Sequence, residues 1–510
     1  MTETAQFDAI ARLRRPIRTG LDPFAAFGVL ALAFGVALRL SQRENLPLWL
    51  DETITAAIAS EPSLGAVLRQ SLLDVNAPAY FVIAHLWSSL TSFSNEALRA
   101  PALAFGLAAP FLCLAGAPGL SARARWMWVA LVALWLPAII YSNEARGYSL
   151  LYALAVANTV AFIRFLAQRT QTSALLWAAT VSALLLTHYI ALFLAVAQGL
   201  LLLAVLGRRA FGFWPAILPL APALAFMAVH SARVLEFADP QYSWYALVDA
   251  ATVPRIYIWT MGGLELAMAM AVCAVILVAG RLYRDRQATS GPMSGRAPWL
   301  AALAGAAGWA IFIAFCMIRP NFTPRYLIVF IPAVMLGVAA VAERAGSVVR
   351  IAPALVLLLA FFQTLEYRNT DRRQYNVFEF QSGARFLMDA GARSVTFFWD
   401  NPNNETAAPE QMKLVGEFFF KRAGRQIEVT SARTPFGSDP NLTLVERAAD
   451  VGAGFIWLYD REVRRTAALK FPPRLDEALS DFHCHSHSNA RVVALACIRT
   501  ARGGTNAGNS

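Results

Sequence analysis

Two adjacent carboxylates, Asp51 and Glu52, follow the first apolar segment of the chain in the stretch Trp49-Leu50-Asp51-Glu52-Thr53. Acids next to a lipid phase are unfavourable unless they face a wet cavity or a cationic partner. A sugar or lipid hydroxyl is a weak nucleophile, and a positioned carboxylate can take its proton as attack proceeds. Asp51 is therefore the candidate general base, with Glu52 as a second catalytic acid beside it. Carboxylates also favour helix N-termini, and a helix is expected to start near Thr53. That local role accounts for one acid better than for two.

Other polar groups recur where apolar runs end. Asn76 and Tyr80 close the same loop in Asn76-Ala77-Pro78-Ala79-Tyr80, a sequence that also suits a helix start. Arg99 can snorkel to the interface, or neutralise Asp51 or a substrate phosphate. The run Ser142-Asn143-Glu144-Ala145-Arg146-Gly147-Tyr148 puts Glu144, Arg146 and Tyr148 in one short turn. His188 and Tyr189 follow Thr187 at a further segment end, where a lone histidine reads as a structural group or a ligand. Arg325 and Tyr326 sit in a stretch stiffened by Pro320 and Pro324. A guanidinium offers a planar fork of donors and keeps its charge, which suits a lipid-linked phosphate.

The elements that must position these groups are membrane spans. The chain has 510 residues, 57% hydrophobic and 15% charged, with mean hydropathy +0.48, a polytopic membrane composition. The net charge of +11 does not point to nucleic acid, because the arginines lie in short clusters between apolar runs rather than on one basic face. Apolar runs at 22–40, 98–116, 126–142, 149–167, 173–187, 189–207, 212–230, 254–280, 298–318, 325–343 and 349–365 predict about eleven spans. The stretch 78–93 is also apolar. If it crossed, Arg123, Arg125, Arg164, Arg169, Arg208, Arg209 and the Arg281–Arg286 cluster would fall outside. If it does not, all fall inside, as the positive-inside bias requires. Residues 42–97 are thus expected to form one large external loop whose helices lie along the membrane surface. The first span, preceded by Arg12, Arg14, Arg15 and Arg18, reads as uncleaved, with its basic end inside.

After residue 365 charged residues become frequent. Strands are expected at Ser394–Trp399, Gln426–Thr430, Gly454–Leu458 and Arg491–Ile498, and helices at Glu379–Ala390 and Pro409–Ala423. That makes 366–500 a small external α/β domain beyond a 1–365 membrane domain, with 501–510 a disordered tail. Of the five cysteines, Cys113, Cys273 and Cys316 lie in apolar runs. Cys484 and Cys497 suit a disulfide if the domain is external, in preference to a metal cluster with His483, His485 and His487.

Together these residues resemble the polytopic, lipid-dependent glycosyltransferases of the GT-C fold, in particular the family 39-like enzymes, protein O-mannosyltransferases and the lipid A aminoarabinose transferase. The carriers are Asp51-Glu52, Asn76–Tyr80, Ala97-Leu98-Arg99, Pro137–Tyr148 ending in Glu-Ala-Arg-Gly-Tyr, Thr187-His188-Tyr189, and Arg325-Tyr326 with Pro332, over about 20–345. Ala77 departs from the proline common in that family. The resemblance implies an all-α polytopic membrane fold, a polyprenyl-phosphate-linked sugar donor, an envelope acceptor (lipid, glycan or protein) and inverting transfer with Asp51 as base. It also implies a site on the non-cytoplasmic face, which in a bacterial inner membrane is periplasmic. Substrate contacts are expected from Asn76, Tyr80, Arg99, Glu144, Arg146, Tyr148, His188, Arg325 and Tyr326. No cofactor is expected, a divalent cation being the one addition such acids leave room for. The competing readings are a polysaccharide ligase or polymerase and a lipid-linked sugar transporter or flippase. A transporter would place charged groups near the bilayer midplane rather than at segment ends.

Overall fold

The computed structural model describes residues 22–41, 46–116, 118–237, 247–261, 263–264, 267–268, 271, 295–319, 321–344, 380–400, 409–433, 453–460, 479–488 and 492–500. The membrane part comprises α1 (Pro23–Ser41), α2 (Leu50–Ala59), α3 (Leu64–Leu73), α4 (Ala79–Leu90), α5 (Asn95–Leu114), α6 (Ala122–Leu134), α7 (Leu136–Tyr141), α8 (Tyr148–Gln168), α9 (Gln171–Thr187) and α10 (Ala191–Leu206). It continues with α11 (Ile217–Phe237), α12 (Val253–Met261), α13 (Arg296–Ile318) and α14 (Ile331–Arg344), and with 3-10 segments at Gly207–Ala216 and Pro324–Val329. Among the described residues, five helical segments are long and apolar enough to cross a membrane: α1, α5, α8, Ala191–Glu236 and α13. Of these α8 is the most deeply buried, packed against α5, α9 and α13.

Several expected spans differ in detail. The run 126–142 is two helices, α6 and α7, broken at Trp135, whose ψ of 114° is extended. Pro137 follows at the second position of α7, where its missing N–H is tolerated but cannot continue the preceding helix. The run 212–230 starts late, at Ile217, because the chain first makes the Gly207–Ala216 turn containing Pro215. The run 325–343 opens as a 3-10 turn before α14. Of 254–280, only α12 and a few later residues are described, and 349–365 lies outside the described residues. The expected surface loop holds α2, α3 and α4. With 12 residues, α4 is about 18 Å long, too short for a hydrocarbon core of about 30 Å.

Small residues bring the helices close, as expected where lipid supplies no hydrophobic drive between them. A Cβ at Gly35 would lie 2.6 Å from the Ala133 carbonyl oxygen, so α1 and α6 touch through backbone. Arg39 sits fully buried at that contact. It donates from Nη1 to the carbonyls of Ala133 (2.6 Å) and Gly35 (3.0 Å), and from Nε to Ser142 Oγ (3.2 Å). The start of the Ser142–Tyr148 turn is thereby tied to α1. Between α8, α9 and α10, Gln198 donates to Asn158 (2.7 Å), Asn158 to Thr180 (3.1 Å) and Trp177 to Gln198 (2.8 Å).

Beyond the bundle, α15 (Phe380–Asp389), β1 (Ser394–Asp400), α16 (Pro409–Arg422), β2 (Glu428–Arg433), β3 (Gly454–Asp460), β4 (Phe482–Ser488) and β5 (Val492–Arg499) form an α/β layer with strand order β2-β1-β3-β5-β4. β2, β1 and β3 run parallel, and β5 and β4 complete the sheet antiparallel. β4 is the one element not expected as a strand. Its polar run Phe-His-Cys-His-Ser-His-Ser lacks the apolar alternation of a strand, yet it forms a sheet edge where polar side chains are tolerated. Cys484 lies opposite Cys497 in the β4–β5 ladder, and the two are disulfide-bonded. Among the described residues no group of three His, Cys, Asp or Glu is placed to hold a metal ion.

The sheet layer does not hang free. Met412, Val415 and Phe419 of α16 share one apolar core with Leu50, Ala57 and Ile58 of α2. Gln411 donates to Asp74 Oδ2 (2.8 Å), Arg422 to Asn95 Oδ1 (2.8 Å) and Asn95 to Gln381 Oε1 (3.3 Å).

Candidate active site

Successive residues of a helix point about 100° apart, and at the start of α2 that rotation separates the two acids. Glu52 turns inward, 1% exposed. It accepts from Arg99 Nε (2.7 Å), Arg99 Nη2 (2.6 Å), the Ala145 N–H (2.7 Å) and the Trp49 N–H (3.3 Å). Four donors use up the lone pairs of a carboxylate. Arg99 gives its other donors to the carbonyls of Leu46 (2.8 Å) and Pro47 (3.0 Å). The pair therefore braces α2 against α5 and against the turn before α8. The expectation that Arg99 faces Asp51 or a phosphate gives way to this pairing, and Glu52 has no acceptor capacity left for a substrate proton.

Asp51 turns the other way and keeps 21% side-chain exposure. Its Oδ2 accepts from Arg325 Nη1 at 2.9 Å and lies 3.7 Å from Arg146 Nη2. Arg146 is held in turn, donating from Nη1 to the Asp51 carbonyl (3.1 Å) and to Thr55 Oγ1 (3.2 Å). The Arg325 guanidinium sits over the rings of Trp49 (5.9 Å) and Tyr148 (5.5 Å), and that of Arg146 near Tyr148 (5.9 Å). Such cation–π contacts orient a guanidinium without removing its hydrogen-bond donors. From Tyr148 the aromatic series runs to His188 (6.1 Å) and on to Tyr326 (4.7 Å). Asp51, Glu144, Arg146, Tyr148, His188, Arg325 and Tyr326, spread over 275 positions, thus come from four segments into one cluster.

Glu144 and His188 are among the members of the cluster with altered proton affinity. Burial, and then the neighbouring charge of Glu52, push the Glu144 carboxyl up to about 8, with Arg325 acting in the opposite sense. Its Oε2 is buried without a hydrogen-bond partner among the described residues. Burial, and then the charges of Arg146 and Arg325, push the His188 imidazole down to about 3. Around Asp51 and Glu52, three guanidiniums therefore face these two carboxylates and a third, Glu144, that holds its proton near neutrality. The surplus is positive and suits an anion.

Asn76 and Tyr80 take other places. Asn76 donates from its backbone N–H (2.8 Å) and Nδ2 (2.7 Å) to Asp74 Oδ1, closing a local turn. The other Asp74 oxygen receives Gln411, and the Asp74 carbonyl accepts from His230 Nε2 (2.8 Å), whose Nδ1 meets the Tyr189 hydroxyl. The turn is a joint between loop, bundle and sheet layer. Tyr80 is buried behind the Ser142–Tyr148 turn, where a Cβ at Gly147 would come within 3.2 Å of it. The residue the sequence did not single out is Trp49. Its ring lies beneath Arg325, and its indole N–H is buried with no partner among the described residues. An aromatic two positions before a pair of acids at a segment end was the available signal, but it reads equally as an interface anchor.

No family model matches the chain, and no curated protein matches it in sequence. Solved structures do. The chain is similar to ArnT from Cupriavidus metallidurans in the apo state, with 12% identity, 92% of this chain and 98% of that chain covered, and a TM-score of 0.58. It is also similar to the same protein bound to undecaprenyl phosphate, with 13% identity, 95% and 100% coverage, and a TM-score of 0.53. At such identities the likeness is one of architecture, and the chain has the GT-C fold of a polytopic membrane protein.

Proposed function

We infer that the chain is a membrane glycosyltransferase that moves a sugar from a polyprenyl-phosphate donor to an envelope acceptor with inversion. The observation that carries this reading is the position of Asp51, partly exposed and flanked by Arg325 and Arg146 at the rim of the bundle. Likeness to a protein whose structure holds undecaprenyl phosphate supports the donor class. The acceptor hydroxyl attacks the anomeric carbon and gives its proton to Asp51. A carbon–oxygen bond to the acceptor forms as the bond to the phosphate breaks, and the electron pair leaves with the polyprenyl phosphate. Arg325 and Arg146 lie where that negative charge grows, which is where fixed positive charge lowers a barrier. Glu52 and Arg99 hold α2 so that Asp51 faces the acceptor. By the arginine bias of its loops, the enzyme sits in the bacterial inner membrane with this site and the sheet layer on the periplasmic side.

The test is purified protein in lipid with a polyprenyl-phosphate sugar and an envelope extract, followed by mass analysis of products. Transfer by the wild type that Asp51→Asn abolishes, while the variant still binds undecaprenyl phosphate, is the expected result. Binding without any transfer to lipid, glycan or protein would overturn the reading in favour of a carrier.

A further inference from the structure

His188 ends α9, between the rings of Tyr148 and Tyr326. Its Nδ1 accepts the Ile190 N–H at 3.3 Å. An acceptor nitrogen carries no proton, so in the neutral ring the proton sits on Nε2. That Nε2 is buried and meets no partner among the described residues. Buried donors are almost always satisfied, and one left open beside a ligand site marks a bond that the ligand completes. The groups facing the ring are two cations, Arg146 from the turn before α8 and Arg325 from the 3-10 segment, and two phenols, Tyr148 and Tyr326. Between two fixed positive charges a third would be repelled. A neutral N–H adds a donor to an anion site without that repulsion.

We propose that His188 is a neutral hydrogen-bond donor, through Nε2–H, to the phosphate of the lipid-linked donor. The proposal rests on the glycosyltransferase reading above. His188 moves no proton in this role. The backbone N–H of Ile190 sets its tautomer, and the tautomer sets which edge of the ring donates. Its low proton affinity keeps it in the donor form throughout the working range. The role is positional and electrostatic, a third point of contact beside Arg325 and Arg146 that fixes how the phosphate turns.

Glutamine and asparagine separate the two ring nitrogens. His188→Gln places an amide N–H where Nε2 lies, and His188→Asn places a polar group where Nδ1 lies. Binding of undecaprenyl phosphate to the purified, full-length variants in detergent is measured by thermophoresis, beside thermal unfolding of each. The expected result is near-wild-type affinity for His188→Gln, and affinity lower by roughly ten- to a hundredfold for His188→Asn and His188→Ala, the scale of one hydrogen bond to a charged group. Equal loss in all three variants, or rescue by asparagine, overturns the proposal and leaves the glycosyltransferase reading standing. Absence of binding by the wild type removes both. Selective 15N-histidine labelling gives a second readout that does not depend on any variant. A neutral Nε2–H ring at pH 6 that shifts on adding the lipid phosphate is expected, and an imidazolium at that pH overturns the assignment.

Discussion

Glu52 and Asp51 are neighbours in sequence and opposites in setting. Glu52 and Arg99 form a closed pair in which each Glu52 oxygen accepts two hydrogen bonds, all from within the protein. Asp51, Arg146 and Arg325 form an open group, with longer separations, partial exposure and, beside them, Glu144 Oε2 and His188 Nε2, which have no hydrogen-bond partner among the described residues. A closed ion pair fixes geometry, because removing either partner strands a buried charge. An open one can exchange its partners for a ligand. One helical step is enough to give consecutive acids a closed setting and an open one.

Removing one side of the brace has the largest expected effect. Arg99→Met leaves Glu52 buried and uncompensated, which for such pairs costs about 3–5 kcal/mol. The thermal midpoint in lipid should collapse, and binding and turnover should fall with it. A variant that unfolds like the wild type would show that the pair is not structural. Next comes Asp51→Asn, which keeps the size and shape of a side chain in the first turn of α2. Turnover should drop by about 10² or more, the scale of a lost general base, while the midpoint holds. Near-normal turnover would pass the role to Glu144, since Glu52 has no free lone pair. Arg325→Lys keeps the charge but loses the planar fork and its contact with Trp49 and Tyr148. Catalytic efficiency should fall about tenfold, the worth of one charge-assisted hydrogen bond. An unchanged value would place the phosphate elsewhere.

A further effect is a pH trend. The Glu144 carboxyl lies at about 8 in the folded chain against an ordinary 4.5. Between those values the unfolded chain has lost this proton and the folded chain still holds it. The folded state therefore binds more protons, and stability falls as pH rises across the window, levelling off above about 8. Glu144→Gln should remove that slope, and thermal midpoints from pH 5 to 9 would show it. A slope that survives the substitution assigns it to another group.

Much of this was legible in the chain. Long apolar runs announce helices, and polar residues at their ends announce the site, because few other positions in a membrane protein let a charge reach water. Pro137 and Pro215 shift boundaries that hydropathy alone smooths over, since a single missing N–H barely alters an apolar average. The partnership of charges was not legible. Nothing in residues 51, 52, 99, 146 and 325 says which guanidinium meets which carboxylate, because that depends on helix rotation and on how α2 sits against α5. Trp49 and the Asp74–Gln411 joint were hidden for the same reason, the latter linking residues 337 positions apart. β4 was hidden by composition, its alternating histidines having no apolar signal to offer.

The shared core of α2 and α16 also has a consequence in time. Met412, Val415 and Phe419 leave the ribosome about 350 residues after Leu50, Ala57 and Ile58. At roughly 5–20 residues per second, the helix that carries Asp51 waits on the order of 20–70 seconds for the apolar partner that completes its surroundings. Through that interval the working end of the molecule is a surface with one side missing. It closes only once α16 has been made, so a chain cut short before α16 is left with Asp51 on an unfinished support.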